Sequence, residues 1–132
     1  MKREEIFKGV AECLAEVLDI DASTITESAK IIDDLGADSL DLLELTFILQ
    51  QRFGVAISPR DMERRTQKKI GAKPIEADGV YTPEALSELR KSMPEVPAEE
   101  LSNGLRVAEL PRRFRVSTMV NMVTRLLGEK GE

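Results

Sequence analysis

Ser39 is the residue of this chain whose position best suits chemistry. It precedes a long run of apolar residues with helical spacing, so we expect it at the start of a helix. Asp38 or Ser39 can cap that helix, and Asp41 lies where a second acceptor can reach back. Gly36 permits a sharp turn just before the helix. A hydroxyl at this position is exposed, and the first-turn amides and the helix dipole favour an anion attached to it.

The residues that would make Ser39 a nucleophile are missing. The chain has no histidine and one cysteine, Cys13. This excludes Ser-His-Asp and Cys-His catalysis, the usual zinc sites and an internal disulfide. Ser39 therefore has no conventional base, and modification by another enzyme is the better interpretation. We predict no catalytic residue and no metal site, and we expect Cys13 to be a small buried core residue.

Two helices are predicted around the loop that leads to Ser39. Apolar residues recur at helical spacing over residues 3–18, and again over residues 40–53, where Gly54 ends the run. The connection over residues 19–37 is long, and we expect its isoleucines to pack onto the helices. Long connections in compact domains are often functional, which fits a loop leading to the serine.

The helix after Ser39 carries two apolar arcs on nearly opposite sides. The first contains Leu42, Leu45, Leu49 and Phe53, and the second contains Leu40, Leu43 and Phe47. A helix in a small bundle needs only one buried stripe. The second arc is therefore either a surface for a partner or a surface that another segment of the chain covers.

Shorter elements are predicted in the second half of the chain. A basic helix is expected over about residues 59–69, with Pro59 at its first position. Thr82 begins a helix that reaches Met93, and a short helical turn follows Pro97.

Extended pieces are expected at residues 80–81 and 105–108. A last helix is predicted over about residues 116–127, and residues 128–132 are expected to fray.

The charge of the chain is unevenly distributed. Residues 1–57 hold 5 Lys and Arg against 12 Asp and Glu, whereas residues 58–132 hold 14 against 12. The acidic half contains Ser39, which suits basic partners and argues against nucleic acid on that side. The basic helix lacks interleaved aromatic residues, so a solvated face or an intramolecular partner for acidic residues is the better interpretation there. No nucleic-acid partner is predicted.

No apolar run is long enough to span a bilayer, and no signal-peptide core follows Met1. We therefore expect no membrane span, a cytoplasmic location and a monomer.

The motif around Ser39 resembles that of the acyl carrier protein family. Members carry Gly-x-Asp-Ser-Leu, matched here by residues 36–40, and the match continues through Asp41 and Glu44 to Phe53. The resemblance covers about residues 1–65 and, less clearly, 113–128. It implies an all-α fold, a four-helix acyl-carrier-like bundle with an inserted segment of short helices. Residues 1–132 are then expected to form a single carrier domain with an insertion at about 66–112.

The resemblance also implies a carrier and not an enzyme. A separate phosphopantetheinyl transferase would attach 4'-phosphopantetheine to Ser39, and the terminal thiol would hold acyl groups as thioesters. Acyl-loading and acyl-processing enzymes of fatty-acid or specialised lipid biosynthesis would be the partners. The residues expected to dock partners, by charge or by apolar contact, are Asp38, Leu40, Asp41, Leu43, Glu44 and Phe47. A polyketide or peptidyl carrier, or an unmodified helical interaction module in which Ser39 is only a cap, are the alternatives.

Overall fold

The computed structural model describes residues 1–58 and 60–130, and its contacts divide the chain into two units. The main unit comprises residues 1–59 and 114–132, and the inserted unit comprises residues 60–113. That both belong to a single domain stays a prediction. The α-helices of the described residues are α1 (Arg3–Leu18), α2 (Ser39–Phe53), α3 (Asp61–Ile70), α4 (Pro83–Ser92) and α5 (Val116–Glu129). The two short strands are β1 (Glu76–Ala77) and β2 (Val80–Tyr81), and the 3-10 helices are Ala22–Thr24, Ala98–Leu101 and Val107–Arg113.

In the main unit, α1 contacts both α2 and α5. Apolar residues at helical spacing on all three helices meet in one core, as the sequence predicts. Helices α1 and α2 approach closely at Gly9, where an added Cβ atom would lie 2.5 Å from the Cζ atom of Phe53. The glycine is therefore required by the ring that packs against it. The fully buried members of this core include Ile6, Val10, Leu14, Leu45, Leu49, Val116 and Val120.

The long connection before α2 is fixed to the start of α5. The amide of Ile31 donates to the carbonyl of Phe114 at 3.1 Å, and the amide of Val116 donates to the carbonyl of Ala29 at 3.0 Å. Ile31 is fully buried, as expected for the isoleucines of this connection. These contacts hold the segment from which the chain turns towards Ser39.

In the inserted unit, α3 packs against α4, and β1 and β2 pair as an antiparallel hairpin. Asp78 and Gly79 connect the strands with positive φ angles of 54° and 80°, which suit a tight hairpin turn. Thr82 caps α4 by accepting a hydrogen bond from the amide of Ala85, as predicted. The core of this unit includes the buried residues Tyr81, Leu86, Leu89, Met93 and Leu101.

The predicted all-α fold is confirmed, since the two strands contain only two residues each. The structure differs from the sequence prediction at the start of the basic helix, at residues 107–108 and at the end of the last helix. The basic helix begins at Asp61, with Arg60 at its N-cap, and the predicted role of Pro59 lies outside the described residues.

Residues 107–108 were expected to be extended but lie in a 3-10 helix, because the Glu109 side chain accepts a hydrogen bond from the Arg106 amide. The predicted fraying is wrong for Gly128 and Glu129. Helix α5 continues through both, and the Nζ atom of Lys130 donates to the carbonyl of Gly54 at 2.7 Å. Residues 131–132 lie outside the described part of the chain.

Candidate functional site

Two aspartates fix the point at which α2 begins. The carboxylate of Asp38 accepts a hydrogen bond from the amide of Asp41 at 2.9 Å, and the carboxylate of Asp41 accepts one from the amide of Asp38 at 3.0 Å. This reciprocal pair is a capping box, with Asp38 at the N-cap in an extended conformation. Ser39 is therefore the first residue of the helix, as the sequence indicates.

Ser39 is exposed at this position. Within the described residues its hydroxyl makes no hydrogen bond, so the oxygen is accessible. The preceding turn depends on Gly36, whose φ of +80° is unfavourable for other residues. The next residue, Ala37, is buried and donates its amide to the carbonyl of Ile31 at 3.2 Å. A buried anchor on one side and a capped helix on the other thus present the serine to solvent.

The surroundings of Ser39 fit a covalently attached phosphate. The first amides of an α-helix have no acceptor within the helix, and they carry the positive end of its dipole. A phosphodiester on the first residue of the 15-residue helix α2 would lie at this end. The two neighbouring carboxylates already accept backbone hydrogen bonds from Asp38 and Asp41, so they serve the helix itself.

An apolar surface follows Ser39 along α2. The second arc of the sequence pattern is exposed: 75% for Leu40, 41% for Leu43 and 55% for Phe47. Glu44 is also exposed, and we call these four residues the α2 surface. On the opposite side of the helix, Leu45 and Leu49 are fully buried and Phe53 is nearly so. Of the two readings left open for the second arc, its exposure favours a surface for a partner.

The expected docking residues do not all have the same environment. Asp38 and the α2 surface are exposed, whereas Asp41 is half-buried. Because its carboxylate accepts the hydrogen bond from the Asp38 amide, Asp41 stabilises the start of the helix, in addition to any effect of its charge on a partner.

A cleft that the sequence analysis did not predict lies between the N-terminal part of α1 and the C-terminal end of α2. It has a volume of about 360 Å³ and is lined in part by Lys8, Glu12, Arg52 and Phe53. Arg52 and Glu12 form an ion pair at 2.5 Å, and this hydrogen bond raises the pKa of Arg52. Both side chains are a little less than half exposed, and residues distant in sequence line the cleft, so no local motif indicates it.

Cys13 is buried in the core, as predicted, and the loss of hydration raises the pKa of its thiol. In residues 1–58 and 60–130, no group of three or more Cys, Asp and Glu is arranged to hold a metal ion. No helix of the described chain is both long enough and apolar enough to cross a membrane.

Comparison with known families supports the interpretation of this site. A family model described as the phosphopantetheine attachment site matches residues 8–71. The matched stretch begins in α1, contains the capping box, Ser39 and the α2 surface, and ends directly after α3. The cofactor of this chain is therefore covalently attached 4'-phosphopantetheine. Carriers of this type work with a phosphopantetheinyl transferase and with acyl-processing enzymes.

Curated relatives identify the family. The chain is 50% identical over 62 residues to an acyl carrier protein of Thermotoga maritima, which covers 47% of this chain and 76% of that protein. It is 38% identical over 64 residues to that of Petrotoga mobilis, covering 48% of this chain and 75% of the relative. An acyl carrier protein of Helicobacter pylori is 41% identical over 59 residues, covering 45% of this chain and 76% of its own length. The chain therefore belongs to the acyl carrier protein family, whose members hold acyl groups and are not themselves enzymes.

Proposed function

We propose that Ser39 is the attachment point of the phosphopantetheine arm, and that the carrier serves fatty-acid or specialised lipid biosynthesis. The observation that carries the first part is the accessible Ser39 hydroxyl at the first residue of a capped helix, within the stretch that matches the family model. When bound, the arm supplies a terminal thiol that holds acyl groups as thioesters.

The chain contributes the acceptor oxygen for attachment. The Ser39 hydroxyl loses its proton and forms the phosphodiester, while adenosine 3',5'-bisphosphate leaves coenzyme A. No histidine is present in the chain to act as the base, so this role belongs to the separate transferase. The capping box positions the oxygen, and the first-turn amides stabilise the negative charge of the diester.

The α2 surface is the proposed docking site for the transferase and for acyl-loading and acyl-processing enzymes. Leu40, Leu43 and Phe47 offer apolar contact next to the serine. The carboxylates of Asp38, Asp41 and Glu44 attract basic patches on these partners.

Two features support a specialised pathway: the inserted unit and the residues at the end of α2. The match to the family model ends at residue 71, so most of the inserted unit, residues 72–113, lies outside it. Residues 50–52 of α2 are Gln, Gln and Arg, so its acidic character does not continue to the end of the helix. The monomeric state and the cytoplasmic location expected from the sequence are part of the same proposal.

Incubation of the apo chain with a phosphopantetheinyl transferase and coenzyme A tests the attachment. We expect the intact mass to increase by one phosphopantetheine group, and Ser39→Ala to abolish the increase. Ser28→Ala is the matched control, because Ser28 is also exposed, and it should be modified like the wild type. An unmodified wild type with several transferases would favour a helical interaction module instead.

The chemical identity of the acyl group on the arm tests the proposed pathway. Mass spectrometry of the protein isolated from its native host should show a fatty-acyl thioester on the arm. An aminoacyl or polyketide thioester would contradict the proposed pathway and leave the attachment at Ser39 unaffected.

A further inference from the structure

A cluster of basic residues in the inserted unit has no role in the proposed attachment. Arg64, Lys68 and Lys69 of α3 and the following Lys73 are all exposed. Their side chains make no ion pair or hydrogen bond within residues 1–58 and 60–130. We call these four residues the basic ridge. Arg65 of the same helix differs, because it pairs with Asp61 at 2.9 Å.

The ridge is held together by the backbone at the end of α3. The side-chain amide of Gln67 donates to the carbonyl of Gly71 at 2.8 Å and to the carbonyl of Lys73 at 2.7 Å. These bonds hold the backbone from Gly71 to Lys73 against the side chain of Gln67, at the C-terminal end of α3. Arg64 and Lys68 are four residues apart and share one side of α3, and the exposed Lys69 and Lys73 extend the positive charge around the end of the helix.

The ridge has no apolar component. The apolar side of α3 is directed into the inserted unit, where Met62 and Thr66 are buried. Tyr81 is the sole aromatic residue of this unit and is also buried, so no ring is available to stack on a base. A helix that inserts into a lipid surface needs an exposed apolar face, which α3 lacks. Recognition by the ridge is therefore electrostatic.

The charge of the rest of the chain restricts the kind of anion that can approach. The main unit holds 8 Lys and Arg against 14 Asp and Glu, whereas residues 60–73 hold 6 against 2. A nucleic acid or an anionic bilayer presents an extended negative potential, which the net charge of −5 of the chain opposes. A compact acidic patch needs only the positive charges of the ridge, because charges on a surface are screened over a Debye length of about 8 Å.

We propose that the basic ridge binds a compact acidic patch on a partner protein. Basic partners that dock on the α2 surface gain nothing from the ridge. A protein with an acidic patch is complementary in charge to the ridge, so the ridge favours it over basic proteins. Because the ridge needs no modification of Ser39, this proposal stands or falls separately from the proposed attachment.

The test uses the full chain labelled with 15N and a helical peptide that displays four glutamates on one face. At low ionic strength we expect chemical-shift changes centred on residues 64–73, which disappear in 0.5 M salt. The triple variant Arg64→Gln, Lys68→Gln, Lys69→Gln should bind the peptide at least tenfold more weakly.

The matched control is Lys8→Gln, Lys91→Gln, Arg106→Gln, which removes one arginine and two lysines that are also exposed. It should bind the peptide like the wild type. Circular dichroism establishes that both triple variants fold, and Arg64→Lys, which keeps the charge, should retain binding.

Two further ligands complete the experiment: a DNA duplex, and vesicles containing phosphatidylglycerol. Tighter binding to either one than to the peptide would overturn the proposal. Equal loss of peptide binding in the two triple variants would also overturn it, because net charge and not the ridge would then explain the effect.

Discussion

At the scale of single residues, the site depends on two carboxylates that act on the backbone. Asp38 and Asp41 each accept an amide hydrogen bond from the other, and Ser39 lies between them. The position of the Ser39 side chain, the proposed attachment point, is therefore set by its two neighbours. Helix capping has local sequence rules, which is why the pattern from Gly36 to Asp41 was sufficient to predict this arrangement.

Replacement of Asp38 tests the capping box. Asp38→Ala removes the acceptor for the Asp41 amide, and the free energy of unfolding should fall by about 1 kcal/mol in urea denaturation. Asp38→Asn keeps a side-chain oxygen and should lose much less. Equal stability of Asp38→Ala and the wild type would show that the cap does not stabilise α2.

The stability of the inserted unit should depend on pH through the buried Tyr81, whose pKa is raised. Burial raises the pKa of Tyr81 to about 12, and the charges of Glu63 and Glu76 act in the same direction. Its hydroxyl is buried and has no hydrogen-bond partner in the described part of the chain. The unfolded chain titrates near pH 10, so the stability linked to this group is complete below about pH 10 and decreases as the pH rises towards 12.

Tyrosinate absorbance should therefore show a midpoint near 12, and it reports on one residue because the chain has one tyrosine. Tyr81→Phe should reduce the loss of stability between pH 10 and 12, measured by thermal unfolding. A midpoint near 10 would mean that the hydroxyl is hydrated.

At the scale of elements, helical periodicity predicted most of the main unit. The bounds of α1 agree with the sequence prediction, and those of α2 differ by one residue. Periodicity also distinguished the two arcs of α2, but it left open whether the second was exposed or covered, and in the structure that arc is exposed. Periodicity depends on the chain itself, whereas the 3-10 helix at Val107–Arg113 depends on a side-chain hydrogen bond that no apolar pattern indicates.

Substitution of two phenylalanines of α2, one on the buried side and one on the exposed side, tests which side of the helix contacts partners. Phe53→Ala should lower the free energy of unfolding by about 3–5 kcal/mol, because Phe53 is 8% exposed and packs in the core. Phe47→Ala should change stability by less than about 0.5 kcal/mol, because Phe47 is 55% exposed. Phe47→Ala should nevertheless slow modification by the transferase. Modification at the wild-type rate would exclude Phe47 from the docking site of that enzyme.

At the scale of the whole molecule, an insertion was expected at about residues 66–112, whereas the inserted unit comprises residues 60–113 and so includes all of α3. Helix α3 lies within the stretch that matches the family model, yet it packs against α4 in the inserted unit. Which helices pack together depends on contacts between segments distant in sequence. The uneven distribution of charge, by contrast, follows directly from composition: the unit that contains Ser39 holds 8 Lys and Arg against 14 Asp and Glu, whereas residues 60–113 hold 11 against 10.

This charge should affect the rate of attachment. If basic transferases are attracted to the acidic main unit, the second-order rate constant of modification should decrease by about tenfold between low ionic strength and 0.5 M salt. Glu44→Gln should weaken the salt dependence, whereas Glu99→Gln, at an exposed residue of the inserted unit, is the control and should not. A rate independent of salt would contradict electrostatic guidance.

Fragment-ion mass spectrometry of the modified chain tests the central claim most directly, because it locates the arm on one residue. After reaction with the transferase and coenzyme A, we predict the added mass on Ser39 and on no other serine or threonine. Attachment at any other residue, or an arm that remains in the Ser39→Ala variant, would contradict the assignment of this site.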